Sequence, residues 1–259
     1  MPGSVHSTRD GPIALMTLDS PGRLNALDKS MWAHIGELLH EISADESVRC
    51  IVIRGAGTQA FAAGADIAEF ATERSNAAQA RDYGHRMDAT LGAIRDCRHP
   101  VVAMIHGVCV GGGLELASVC DLRICGASSR FGVPVKNLGL VMGYGELRGL
   151  IELVGRAVAL EIVLEGRVFG AAEAKEKGLV TRVVTDDQVE AEAMACAQRI
   201  AEGAPLVARW HKRFANRLAD PRPLSALEVD ESYACFDTED FRTGYGAFLA
   251  KERPKFSGK

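Results

Sequence analysis

Two apolar rhythms alternate along the chain. Ile13, Leu15 and Thr17 fall at every second position before Leu18-Asp19-Ser20-Pro21-Gly22, which predicts a half-buried strand ending in a turn. Met31, Ile35, Leu38, Leu39 and Ile42 then recur at helical spacing, with Asn25 or Asp28 upstream as caps and Asp45 after the last turn. Residues 48–53 (VRCIVI) form a nearly continuous β-branched run, the pattern of a buried strand, and stop at Gly55-Ala56-Gly57. Val101–Ile105 (VVAMI) and residues 122–125 repeat that signal. Between them His106-Gly107 and Gly111-Gly112-Gly113 lead into an apolar helix at 114–119. Further helices are expected at 147–164 and at 171–177, the latter closed by Gly178 before a strand at 179–184. Beyond it the strand signal vanishes: 188–200, Pro205–Leu218 and 224–236 are helical by pattern, separated by Gly203, Pro205, Pro221 and Pro223. An α/β core followed by an all-helical C-terminal segment is therefore expected, with no internal repeat or low-complexity tract.

Composition narrows the function classes. At 259 residues, 47% apolar and 25% charged, the chain can bury a sizeable core and is not disordered. Thirty Lys+Arg against 34 Asp+Glu leave a net charge of -4, so no basic field exists to neutralise a run of phosphates, which argues against a nucleic-acid partner. Apolar runs such as Val101–Ile105 fall far short of the roughly 18 residues of a membrane span, and the N-terminus lacks the basic head and apolar run of a secretory signal. Seven cysteines, an odd number in mostly apolar context with no C-x-x-C pair, read as small buried hydrophobes in a reducing cytoplasm.

Candidate chemistry concentrates in two loops. Gly55-Ala56-Gly57-Thr58-Gln59-Ala60 formally matches a dinucleotide fingerprint, but residues 71–81 (ATERSNAAQAR) offer a polar helical segment in place of the second strand with its acidic end. More telling are residues 61–67 (FAAGADI) and 106–115 (HGVCVGGGLE), which put small residues directly after buried strands, where a ligand can touch backbone. Freed N–H groups in such loops are the parts of an oxyanion hole; tight strand–helix packing is the other reading. Glu115 follows the triple glycine on a first helical turn, where the macrodipole favours a carboxylate and where structural caps are also common. His106 reads as a packed structural histidine. No histidine or cysteine spacing suits a metal, and there is no G-x-S-x-G nucleophile elbow.

Taken together these segments resemble the crotonase superfamily, the enoyl-CoA hydratase/isomerase family, over nearly the whole chain. The resemblance is carried by Asn25-Ala26-Leu27, residues 60–67 (AFAAGADI), residues 111–121 (GGGLELASVCD), Phe131-Gly132, Gly139, Gly143, residues 171–180 (AAEAKEKGLV), residues 244–248, Lys251 and Phe256. It implies an α/β crotonase (ClpP-like) spiral of ββα units, with residues 1–195 as the acyl-CoA-binding core and residues 196–259 as a C-terminal helical trimerisation segment. The assembly implied is a homotrimer or a dimer of trimers.

The family's two thioester-binding amides fall at Ala65 and Gly112, and the first of its two hydratase glutamates at Glu115. Counting forward without a gap, the second falls at Val135, which cannot transfer a proton. Either Glu115 acts alone through a water or another group substitutes. Glu146 is the candidate, although a solvated helix-start carboxylate paired with Arg148 is its plainer reading. Tyr144 is able to donate a phenolic hydrogen bond but as a turn residue equally faces solvent. Asp66 and Asp121 read as loop and cap supports. By the same resemblance Arg23, Ala63 and Ile67 contact coenzyme A, Val135 and Gly143 border the acyl pocket, and Lys251 and Phe256 serve a neighbouring subunit's ligand. Coenzyme A belongs to the substrate, and no cofactor or metal is required. The expected reaction is hydration of a 2-enoyl-CoA with a single catalytic glutamate. Isomerisation, decarboxylation, thioester hydrolysis or catalytically weak CoA-ester binding are the alternatives.

Overall fold

The computed structural model describes residues 2–259. Its strands are β1 (Ser4–Asp10), β2 (Ile13–Asp19), β3 (Cys50–Gly55), β4 (Ala60–Ala62), β5 (Val101–Ile105), β6 (Val108–Val110), β7 (Leu122–Gly126), β8 (Arg130–Gly132), β9 (Phe169–Gly170) and β10 (Arg182–Val184). The helices are α1 (Lys29–Ala44), α2 (Phe70–Glu73), α3 (Ala77–Asp96), α4 (Gly112–Ser118), α5 (Tyr144–Glu165), α6 (Ala171–Glu176), α7 (Val189–Ala201), α8 (Pro205–Leu218), α9 (Ala226–Glu231) and α10 (Glu239–Ala250). A six-stranded sheet runs in the order β1-β2-β3-β5-β7-β10, and a four-stranded one in the order β4-β6-β8-β9. In the first only β1 and β2 are antiparallel, and in the second only β8 and β9. The chain therefore winds as a spiral. β3, β5 and β7 each cross the large sheet, and β4, β6 and β8 each return through the small one.

The continuous apolar runs are explained by burial on both faces. Cys50 and Val52 of β3, with Val102 and Met104 of β5, pack under Val189, Ala193, Cys196 and Ala197 of α7. Their alternates Ile51, Ile53, Val101, Ala103 and Ile105 join the larger core with α1, α3 and α4 on the opposite face. Alternate side chains point to opposite faces, so a strand covered on both must be apolar throughout. Helix α1 starts where expected: Asp28 accepts from Met31 N at 2.9 Å, and Met31, Trp32, Ile35, Leu39 and Ile42 turn inward.

Other elements were not legible locally. β1 (SVHSTRD) buries only Val5 and is polar because it forms the sheet edge. The strands of the small sheet span two or three residues, too short for a period to register. Helix α3 extends well past the polar segment expected there, held by Tyr83, Met87, Leu91 and Ile94 on one face. The helix expected over 224–236 splits into α9 and a 3-10 turn at Ala234–Asp237. Gly155 (φ 75°) interrupts the helical path of α5.

The C-terminal helices are tied down by a buried ammonium. Lys212 of α8 donates to the carbonyls of Ile94 (3.1 Å) and His99 (3.2 Å) and pairs with Asp121 at 2.8 Å. Asp121 in turn accepts from Val101 N at 2.6 Å, which fits its expected supporting role. Replacing Lys212 with Met strands these acceptors, and a loss of about 2 kcal/mol is expected. A lower urea midpoint at unchanged slope checks this; an unchanged midpoint refutes it.

Candidate active site

Two loops from successive turns of the spiral meet. Leu27 bridges Ala65 in parallel fashion: Leu27 N donates to Gly64 O at 2.8 Å and Asp66 N donates to Leu27 O at 2.9 Å. That pattern uses the groups of Gly64 and Asp66 and turns the Ala65 N–H the other way. Gly112 opens α4, so its N–H has no partner within the helix. Among the described residues neither amide is donated to a backbone carbonyl outside its own element. A Cβ placed on Gly112 would lie 3.5 Å from Ala65 N, so the two amides flank one small space. The loops approach this closely only because residue 113 is glycine: a Cβ there would sit 2.3 Å from the Ala62 carbonyl oxygen. The site therefore depends on missing side chains as much as on those present.

Both amides open into a cavity of about 400 Å³. Ala63, Gly64, Ile67, Glu115, Val135 and Glu146 line it, along with Phe70, Arg74, Met87, Leu138, Leu140 and Val141. Of the candidate residues, Ala63, Ala65, Ile67, Gly112, Glu115, Val135 and Glu146 thus share one space. Gly143 borders it indirectly, its amide donating to Glu146 Oε2 at 2.6 Å from the N-cap position of α5. Arg23 pairs with Asp66, whose other oxygen caps the following 3-10 turn by accepting from Ala68 N at 3.1 Å. Lys251 ends α10, and the Phe256 carbonyl accepts from Arg49 at 2.5 Å, both away from this cavity in the single chain. His106 is buried, and its imidazole is pushed below its ordinary value by burial first and then by Arg54.

Glu146 overturns its plainer sequence reading. It is 9% exposed, makes no ion pair with Arg148 among the described residues, and faces the cavity, whereas Tyr144 is 96% exposed. Arg74 was missed altogether. It lies in the segment read as polar helix, and only the fold of α2 and α3 aims it inward.

Two buried carboxyls lining one cavity cannot both ionise freely. Glu115 is held well above the usual carboxylate range, first by burial and then by Glu146, with Arg74 opposing. Glu146 is raised by burial, but the Gly143 amide and Arg74 pull it back, and Asp88 adds to the rise. Burial and mutual repulsion thus favour one proton shared by the pair, with the Gly143 bond favouring charge on Glu146. The sign for stability follows. Folding holds a proton on Glu115 that the unfolded chain releases above roughly pH 4.3, so stability falls as pH rises toward the folded value. Glu115→Gln removes this term. Its urea midpoint is expected to climb relative to the parent as pH rises above roughly 4.3, and a constant gap contradicts the account.

Comparison with known proteins shows the family. Residues 8–259 match the enoyl-CoA hydratase/isomerase family. The chain is 35% identical over 251 residues to a probable enoyl-CoA hydratase of Mycobacterium tuberculosis, covering 96% of each. It is 32% identical to the short-chain-enoyl-CoA hydratase of Clostridium acetobutylicum, covering 95% of this chain and 94% of that one. Among solved structures it is similar to an enoyl-CoA hydratase/carnithine racemase from Magnetospirillum magneticum, with 50% identity, a TM-score of 0.97 and coverage of 99% and 97%. An enoyl-CoA hydratase from Bacillus anthracis is 30% identical with a TM-score of 0.92, each chain covered completely at 100%.

Proposed function

Because the chain belongs to the enoyl-CoA hydratase/isomerase family, we propose that it adds water across the double bond of a 2-enoyl-CoA thioester. The observation that carries this reading is the convergence of Glu115, Glu146 and the amides of Ala65 and Gly112 on one cavity. The amides hold the thioester oxygen and stabilise the negative charge it gains as the C3 carbon is attacked. Glu146, favoured as the ionised partner, takes a proton from water while the hydroxyl oxygen bonds C3. Glu115 delivers its proton to C2, and proton exchange between the two carboxyls restores the starting state. Glu146 thereby fills the role that Val135 cannot, so the single-glutamate mechanism gives way to a displaced pair.

Arg23, Ala63 and Ile67 hold the coenzyme A portion of the substrate, and no cofactor beyond it enters the scheme. Residues 196–259 form the oligomerisation segment of a trimer or a dimer of trimers, a reading supported by Leu227 (82% exposed) and Phe248 (80% exposed) on α9 and α10. Lys251 and Phe256 reach a neighbouring subunit's ligand in that assembly. A reducing, cytoplasmic setting suits seven free cysteines, six of them buried, and no described helix is long and apolar enough to cross a membrane.

The test is hydration of crotonyl-CoA, followed as loss of the conjugated thioester absorbance. Turnover that requires both glutamates supports the reading. Thioester binding without hydration, or turnover of a 3-enoyl-CoA alone, moves the assignment to another reaction of the family. A companion variant locates the second acid. Val135→Glu is expected to leave or lower parental turnover, since it adds a third carboxyl to the cavity, but to restore at least tenfold of what Glu146→Gln loses, part of the roughly 10²–10⁴ attributed to acid–base help. A gain in the parent background instead would mean that the site lacks a second acid and that Glu146 does not supply it.

A further inference from the structure

Arg74 follows α2 and borders the cavity, half-buried, with its guanidinium carbon 4.8 Å from the centre of the Phe70 ring and 4.7 Å from that of Tyr83. These ring contacts hold the cation in place but accept none of its five N–H donors. Several arginines here are paired: Arg23, Arg167, Arg213 and Arg217 all meet carboxylates. Among the described residues Arg74 has no such partner, and its guanidinium donates no hydrogen bond. Its charge reaches Glu115 and Glu146, yet neither is close enough to pair with it. Met87, Leu138, Leu140 and Val141 give the same cavity apolar surface, and Asn137 is its other polar side chain beside the two glutamates. A hydrocarbon acyl chain filling this space would strip water from the guanidinium and return no acceptor, which is unfavourable. A planar carboxylate matches the fork with two parallel charge-assisted bonds.

We propose that Arg74 forms a carboxylate-binding subsite in the acyl pocket, so that the preferred substrate is an acyl-CoA whose acyl group carries a second, free carboxylate. The proposal deepens the acyl-CoA reading and rests on it. The catalytic pair does not cancel the subsite. Burial holds the Glu115 carboxyl well above the usual carboxylate range, and the Glu146 carboxylate is already engaged by the Gly143 amide. Phe70 and Tyr83 limit the sweep of the arginine, so the anion must come to it.

Binding of saturated thioesters, which cannot be hydrated, tests this without relying on turnover. Glutaryl-CoA is titrated against valeryl-CoA, and adipoyl-CoA against hexanoyl-CoA, by calorimetry on the full-length protein. Each pair matches chain length and differs only at the terminal group. At least one carboxylate-ended thioester is expected to bind tenfold or more tightly than its methyl-ended partner. Arg74→Met should bring that ratio to one or below, and Arg74→Lys should leave an intermediate ratio, because an ammonium keeps the charge and loses the fork. The methyl-ended ligand is an internal reference that cancels a general weakening of either variant. A parental ratio of one or less for both pairs overturns the proposal, as does a ratio that Arg74→Met and Arg74→Lys leave unchanged, or tighter binding of a thioester ending in a quaternary ammonium. If crotonyl-CoA and glutaconyl-CoA are not hydrated while the binding ratio holds, the hydration reading fails and the subsite stands.

Discussion

Glu115→Gln is expected to lower hydration of crotonyl-CoA by roughly 10²–10⁴, with binding of a saturated thioester preserved. Glutamine keeps the length and planarity of the side chain, so α4 and the Gly112 amide remain in place. What is lost is a proton available at C2. The residue is 5% exposed, and burial with the neighbouring Glu146 raises its carboxyl well above the ordinary carboxylate range. Glu146→Gln should cost a similar factor, because the water then lacks its acceptor. The double variant should fall little further than either single one, since the two groups act as one proton-carrying unit. Stopped-flow turnover under saturating substrate, paired with calorimetric binding, separates these terms. A Glu115→Gln enzyme with parental turnover, or a double variant whose loss equals the product of both, would remove the pair from the mechanism.

Trp32→Ala should cost about 3–5 kcal/mol of stability and also damage catalysis. The indole is fully buried on α1, and its Cζ2 lies 3.1 Å from where a Cβ on Gly112 would project, so the ring backs the amide proposed to receive the thioester oxygen. Removing it opens a void directly behind α4, and a donor displaced by even part of an ångström loses much of its value to the developing charge. Urea unfolding should show the lower midpoint. Turnover of the folded fraction should drop roughly tenfold or more, mainly in kcat, as expected when a loosened donor serves the transition state. Trp32→Phe is the informative control: the indole nitrogen has no hydrogen-bond partner, so a smaller ring forfeits contact without stranding an acceptor. Parental kcat in a folded Trp32→Ala protein would show that the ring supports the core but not the site.

Much of the frame could be read directly. β3 and β5 announce themselves as apolar runs because both of their faces are covered, and Asp28 marks the start of α1 because capping is local. The two small-residue loops were visible for a related reason: close approach of backbone to backbone leaves room only for glycine and alanine, and that requirement is written residue by residue. The short strands β4, β6, β8 and β9 were not, since their pairing depends on partners from other turns of the spiral.

The chemistry divides along the same line. By itself the sequence determined the family, the α/β order of elements, the Ala65 and Gly112 loops, Glu115, and the absence of a carboxylate at Val135. These are properties of single residues or of neighbours along the chain. Only the tertiary structure decided that Glu146 is buried beside Glu115 while Tyr144 faces solvent, and that Arg74 enters the cavity between Phe70 and Tyr83. A carboxyl's proton affinity and a cation's need for a partner are set by the dielectric and the charges around them. Those surroundings come from α2, α3, α4 and α5, segments far apart in sequence that meet only when the spiral closes.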